Sequence, residues 1–505
     1  MQTQVELSES RRWLIAISVM IATILEILDS TIVNIALPHM MGSFGATFDQ
    51  ITWVLTSYIV AAAVVMPISG FLINRLGSKK LLLINIVGFM ITSMLCGLAT
   101  SLVQMVFFRV LQGIFGASLV PLSQFILRNT FPPEQLTKAM AIWGVGIMTG
   151  PVLGPTLGGL ITESLNWRWI FYINIPFCFI DIFLCLKVIT ETPIQKIKTD
   201  LIGIILLVLS VGCLQIFLDR GNTVNWFESH STQWFFGVFC FSFVGFIIHC
   251  LTHSAPIINL KLFLNRNFSA CCFLIAVFVA GAIGIISIQP LFLENLINYP
   301  PDFTGLVMAP RGIASACAMA CVPILSKHFD QKRLILFGML LNITSSFLFS
   351  KLDLSVNYQL FIYIGMLQGV GMGLFFVPLT TIAFNSLPYK DYAEASGIFS
   401  FCRNLGMSIG ISLIATLIAR NTQINWNSLV SHISIFDPAL QYNHVNTMSK
   451  LALTKLSHQV TTQATTISFL NVYRAIVIGL TVSLPLIFLL KSGNGSEKSN
   501  EIELH

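Results

Sequence analysis

Charge is what this chain has least of. Aspartate, glutamate, lysine and arginine make up 10% of its 505 residues, against 55% apolar residues, and the mean hydropathy is +0.80. That balance excludes a water-soluble globule, and 40 phenylalanines fit lipid-facing helices better than a compact aqueous core. A net charge of +6 would suggest a nucleic-acid partner in a soluble protein. Here it reflects the bias of lysine and arginine towards cytoplasmic loops, so no nucleic acid is expected. No Gly-x-x-x-x-Gly-Lys-[Ser/Thr] occurs, which argues against a built-in ATP motor. None of the 11 cysteines forms a Cys-x-x-Cys pair with nearby histidines. Cys96, Cys213, Cys271, Cys272, Cys317 and Cys321 fall within or beside apolar runs and read as small buried residues, so no metal is expected. Arg11 and Arg12 precede the first apolar run as in a signal peptide. That run is long, holds two acids and lacks a small-residue cleavage site, so it reads as a retained first helix.

What the chain does have is fourteen apolar runs, at 13–38, 52–73, 81–100, 104–127, 138–162, 167–188, 201–219, 233–252, 268–293, 303–325, 334–350, 357–385, 395–419 and 470–491. Each is long enough, or nearly so, to cross a hydrocarbon core. With an even number, both termini lie on one side. Inner loops then collect Arg11, Arg12, Arg75, Lys79, Lys80, Arg128, Lys138, Lys187, Lys196, Lys198, Lys261, Arg266, Lys327, Lys332, Arg333, Lys390, Lys491 and Lys498. The outer side receives only Arg168, Arg220, Lys351, Arg420, Lys450, Lys455 and Arg474, which makes both termini cytoplasmic.

The first run contains Glu26 and Asp29, three residues apart and therefore neighbours on one helix face. An ionised acid at such depth costs roughly 2.5–3.5 kcal/mol on insertion scales. It is accommodated by a water-filled cavity, a partner charge or a bound proton. The residues thus point to a membrane transporter that couples solute movement to protonation, with protons as coupling ion and no other cofactor.

An internal repeat organises the rest. Asn74–Leu81 (NRLGSKKL) returns as Lys327–Leu334 (KHFDQKRL). Leu111–Gly116 (LQGIFG) and Val120–Ser123 (VPLS) return as Leu367–Met372 (LQGVGM) and Val377–Thr380 (VPLT). Matching order implies two homologous six-helix bundles, an arrangement common among alternating-access transporters. The expected division is a cytoplasmic N-terminus over 1–12, a first bundle over 13–188, a linker with an inserted helix pair over 189–267, a second bundle over 268–491 and a cytoplasmic tail over 492–505. A polar segment, 421–468, is expected as an external loop, either a tolerated surface loop or a docking surface for a partner.

These motifs resemble the major facilitator superfamily, specifically its fourteen-helix drug:proton antiporters of the EmrB/QacA-like subfamily. The resemblance covers about residues 13–420 and, more weakly, the last helix. It implies an all-α membrane protein of fourteen transmembrane helices, two six-helix bundles plus two inserted helices. The implied function is export of amphipathic small molecules from the inner membrane in exchange for protons. In an envelope with two membranes it also implies a periplasmic adaptor and an outer-membrane channel. A narrow-specificity exporter of a metabolite, lipid or siderophore would share every motif, and a non-transporting receptor or scaffold would need no titrating acid.

Residue by residue, Gly70–Lys80 (GFLINRLGSKK) resembles the superfamily's signature loop. Gly70 would allow close helix approach, Gly77 a tight turn, and Arg75, Lys79 and Lys80 anchoring and gating. Asn74 stands where an aspartate is usual, and it can hydrogen-bond but cannot form a gating ion pair. Arg109, in Phe107–Gly113 (FFRVLQG), corresponds to an arginine implicated in proton transfer, with structural pairing as the alternative. Its repeat equivalent in the second half is Gly365. Gly146–Gly159 (GIMTGPVLGPTLGG) resembles the antiporter motif. Gly146, Gly150, Gly154 and Gly158 make a small-residue face for close packing, and Pro151 and Pro155 favour a kink. Leu28–Pro38 (LDSTIVNIALP) matches the first-helix motif, with Asp29 and Asn34. Trp167–Pro176, Thr304–Gly312 (TGLVMAPRG) and Phe401–Gly410 (FCRNLGMSIG) match further subfamily segments, the last with Met407 in place of a glycine. Arg311 and Arg403 either line the cavity or stabilise the second bundle. Tyr58, Gln112 and Gln289 either reach the cavity or bond helix to helix, and Asp181 is either a second protonation site or paired within its bundle.

Overall fold

The computed structural model describes residues 8–194, 199–254, 256–433 and 450–491. Lys196, Lys198, Lys498 and the tail over 492–505 lie outside the described residues. Those described form helices and connecting turns, with no strand among them. Fourteen long helical units follow one another. They are α1 (Glu9–Phe44), α2 (Trp53–Leu76), α3 (Ser78–Leu98), α4 (Leu102–Thr130), α5 (Pro133–Ser164), α6 (Trp169–Val188), α7 (Leu201–Gly221), α8 (His230–Thr252), α9 (Arg266–Asn295), α10 (Pro301–Leu325), α11 (Gln331–Phe349), α12 (Tyr358–Asn385), α13 (Tyr392–Ser431) and α14 (Leu451–Leu489). Among the described residues, every one of these except α5 meets the length and hydropathy needed to cross a membrane. At 32 residues α5 is long enough to cross as well.

Local chemistry sets the boundaries. Ser101, Asp200, Asn265, Asp330 and Asn357 each accept a backbone N–H at the start of the helix that follows, where such donors lack an intrahelical partner. Gly77, at φ 85°, makes the turn between α2 and α3, a backbone conformation that suits glycine. Pro67 marks a 3-10 turn within α2. In α4 a break at Ala117–Ser118 starts a second segment with fresh N–H donors.

The two halves pack by the same rule. In the first, α1 lies on α5, α4 on α2 and α3, and α3 on α6; in the second, α9 lies on α13, α12 on α10 and α11, and α11 on α14. The halves meet along α2–α13 and α5–α10, and the inserted α7 and α8 pack on each other, with α7 also against α2 and α13. Asp219 of α7 accepts the Thr56 hydroxyl, and Arg220 stands 4.4 Å over the Trp53 ring, which ties the insert to α2.

One expectation changes. The segment 421–468 is not a loop over most of its length, because α13 continues as helix to Ser431 and helix resumes at Lys450. At ~1.5 Å per residue, the 40 residues of α13 run about 60 Å, twice a hydrocarbon core of roughly 30 Å. These helices run on beyond the apolar runs through largely polar sequence. Asn425 donates to Ser468 at 3.0 Å and ties the two extensions together. The stretch between them, 434–449, lies outside the described residues.

Candidate transport site

Five helices of the first bundle converge on Asp29. Both Asp29 and Arg109 are 0% exposed, and Arg109 Nη1 donates to Asp29 Oδ2 at 2.6 Å. The other carboxylate oxygen accepts from Gln112 Nε2 at 3.0 Å and Asn174 Nδ2 at 3.1 Å. Arg109 also donates to the Val54 carbonyl of α2 at 3.1 Å and to Gln112 at 2.8 Å. The Tyr58 ring stacks on its guanidinium, 4.2 Å from the centroid. Asn174 is held in turn by Ser93 of α3 at 3.0 Å. A buried ion pair of this kind is held by good geometry and by hydrogen bonds that answer its remaining lone pairs, and Asp29 has both.

Glu26 is not part of that network, although it is three residues away. One of its oxygens accepts the Val120 amide, a donor freed by the break in α4, and the other has no partner. The opposite charge acting on it comes from Arg403 of α13, in the second bundle, and Arg403 Nη1 also lacks a partner. Glu26 therefore faces across the divide between bundles, while Asp29 is turned into the first. Asp181, on α6, accepts the Ser18 hydroxyl at 2.6 Å and forms no ion pair among the described residues. Asn34 is exposed and, among the described residues, bonds to Thr31 of its own helix. Arg311 and Gln289 sit together in the second bundle.

The structural motifs fall where packing needs them. A Cβ on Gly70 would stand 2.5 Å from the Glu394 backbone, so this glycine sets the α2–α13 approach. Gly146, Gly150, Gly154 and Gly158 press α5 against Met20, Ile27, Thr31 and Ile32 of α1, the helix that carries Asp29. The helix runs on through Pro151 and Pro155, whose side chains lie outside the described set. At the signature loop, where Asn74 offers no carboxylate, Glu191 approaches from the segment after α6. Its oxygens accept the Lys79 and Lys80 amides, both at 3.0 Å, an anion at the N-terminus of α3. Arg75 donates to Thr199, and Lys79 Nζ to the Leu186 carbonyl.

The contacts between bundles gather at the end that carries these basic loops. Arg128 donates to the Tyr392 hydroxyl at 2.8 Å, Ser400 to Gln124 at 3.2 Å, and Trp143 stacks on Phe376 at 6.1 Å. Gly397 lies against Met66 and Gly144 against Met319.

Asn174 and Ser93 are the site residues that sequence reasoning passed over. Asn174 was present in the Trp167–Pro176 motif, a buried amide inside an apolar run. Ser93 carried no signal.

Two matching helical bundles with an ion pair buried inside one of them define a multi-pass membrane transporter. The chain belongs to the Major Facilitator Superfamily, whose pattern matches residues 19–411. It is 33% identical over 504 residues to the "Probable multidrug resistance protein EmrY" of Escherichia coli, which covers 97% of both chains. It is 32% identical to the "Multidrug export protein EmrB" of the same organism over 93% of each. These relatives set it in the EmrB-like branch. The solved proton:xylose symporter XylE shares the fold, with a TM-score of 0.60 at 14% identity over 93% of this chain and 97% of that one.

Proposed function

We propose that this protein is a proton-coupled multidrug efflux transporter of the inner membrane, with both termini cytoplasmic, working by alternating access. The observation that carries the reading is the placement of two acids. Asp29 is ion-paired inside one bundle, and Glu26 looks from the same helix towards Arg403 of the other. The bundles touch at the basic-loop end, the cytoplasmic end in this reading, so the arrangement is outward-facing. Protonation from outside releases Asp29 from Arg109 and removes the attraction between Glu26 and Arg403. The bundles then rock, and an amphipathic drug entering from within displaces the proton. A proton moving down the membrane potential supplies about 2.3 kcal/mol per 100 mV, which sustains a gradient of roughly fiftyfold for a neutral drug. In a two-membrane envelope, the extensions over 421–431 and 450–468 are the surface offered to a periplasmic adaptor and, through it, an outer-membrane channel.

The test is efflux of a fluorescent hydrophobic cation from cells with wild type, Asp29→Asn or Glu26→Gln at matched membrane levels. Wild type is expected to export the dye, a protonophore to stop it, and Asp29→Asn to abolish it. Export that continues unchanged in Asp29→Asn overturns the coupling role.

A further inference from the structure

The second bundle holds a buried cation that no carboxylate answers. Arg311 of α10 is 5% exposed, and Nη2 donates to Gln289 Oε1 of α9. Its Nε and Nη1 have no partner, and neither do Ser315 Oγ or either amide atom of Gln368 on α12, while Gln289 also bonds to the Tyr473 hydroxyl. The titratable group that acts on its charge is Tyr473 of α14. Among the described residues Arg311 belongs to neither the Asp29–Arg109 pair nor the His249–Asp200 pair.

Two glycines shape the helix that faces it. A Cβ on Gly365 would stand 3.7 Å from Arg311 Nε, and one on Gly369 would stand 2.2 Å from the Arg311 carbonyl. The two glycines bring α12 close to α10 and put no side chain over the guanidinium. Gln368, three residues after Gly365, lies on the same helix face. A guanidinium stays charged at any physiological pH, and in a membrane interior its charge calls for a counter-charge. A carboxylate accepts about four hydrogen bonds, and the unpaired donors here are of that number and kind.

We propose that Arg311, flanked by Gln289 and Gln368, is an anion-binding subsite that takes the carboxylate headgroup of an amphipathic substrate. This rests on the transporter reading and extends it to anionic amphiphiles. A small inorganic anion such as chloride has the same chemistry, and the experiment separates the two.

Purified full-length protein in nanodiscs is titrated with decanoate and, separately, with decyltrimethylammonium, for wild type, Arg311→Gln and Arg311→Lys. Thermal unfolding verifies that each variant is folded. The ratio of decanoate to decyltrimethylammonium affinity is expected to fall roughly tenfold or more in Arg311→Gln, with most of it restored in Arg311→Lys. An unchanged ratio in Arg311→Gln overturns the subsite. In chloride-free buffer, chloride that stabilises wild type through Arg311, with no decanoate binding, overturns the headgroup assignment in favour of a resident ion. The dye-efflux assay reads the transporter function separately. Failure there alone rejects the multidrug reading in favour of a narrow-specificity exporter, and an unchanged affinity ratio with efflux intact rejects the subsite alone.

Discussion

Each bundle buries one guanidinium at its centre, and the two reach that place from different helices. In the first, Arg109 projects from α4 and bonds to the backbone of α2. In the second, the position equivalent to Arg109 is Gly365 on α12, and Arg311 enters from α10, the counterpart of α2, to lie against that glycine. The repeat has kept a location for positive charge without keeping the residue. The surroundings differ more. Arg109 meets Asp29, whereas Arg311 meets amides and a phenol. Arg109 too has one nitrogen, Nη2, without a partner, but its cation meets a carboxylate and that of Arg311 meets none among the described residues.

The comparison breaks most severely if the first bundle is made to resemble the second. Asp29→Asn leaves Arg109 buried without its anion, a change that costs on the order of 3–5 kcal/mol. A marked fall in thermal stability, together with the lost efflux, is the expected result. The opposite change, Gln289→Glu, gives Arg311 a carboxylate of its own. It is expected to raise stability by about 1.5–3 kcal/mol and to abolish decanoate binding, read by melting and by titration. Gly70→Ala tests the seam between halves. Its Cβ meets the Glu394 backbone at 2.5 Å, so α2 and α13 must part at a cost of roughly 1–3 kcal/mol. Cysteine labelling near Ser400 should then rise as the basic-loop end opens.

The smallest effect belongs outside both bundles. Asp200 caps α7 and accepts from His249 at 2.8 Å and from the Ile257 amide. Burial opposes its ionisation, but the Gly203 and Ile257 amides and the imidazole together hold its carboxyl below the ordinary value. Its contribution is therefore complete above the ordinary aspartate range and is lost as pH falls through the depressed value. Asp200→Ala should cost roughly 0.5–2 kcal/mol, with the difference from wild type vanishing in an acid melting series.

Much of this architecture was legible in the chain. The helical runs, the repeat and the depth of Asp29 and Arg109 follow from hydropathy and spacing, since a bilayer forces each apolar run into a helix. The pairing of Asp29 with Arg109 did not follow, because the two are 80 residues apart and spacing along one helix says nothing of rotation against another. Glu26 shows the same limit. Shared helix face made it a neighbour of Asp29, yet the break in α4 gives Glu26 an amide and the charge acting on it is Arg403 of the second bundle. The helical extension over 421–431 was missed because hydropathy detects a membrane span and is silent about a polar helix, whereas leucines at helical spacing over 448–460 mark the second one in the sequence.

The sequence by itself determined a fourteen-helix membrane protein of two related halves, with charge concentrated in the first helix and the fourth. Those are properties of composition and order, which the bilayer reads directly. Only the tertiary structure decided which charges meet. Asp29 is neutralised, Glu26 looks across the divide, Glu191 meets the N-terminus of α3, and Arg311 remains unanswered. Each depends on how helices turn about their axes when glycines let them approach, and side-chain contact across such interfaces is fixed by packing in three dimensions.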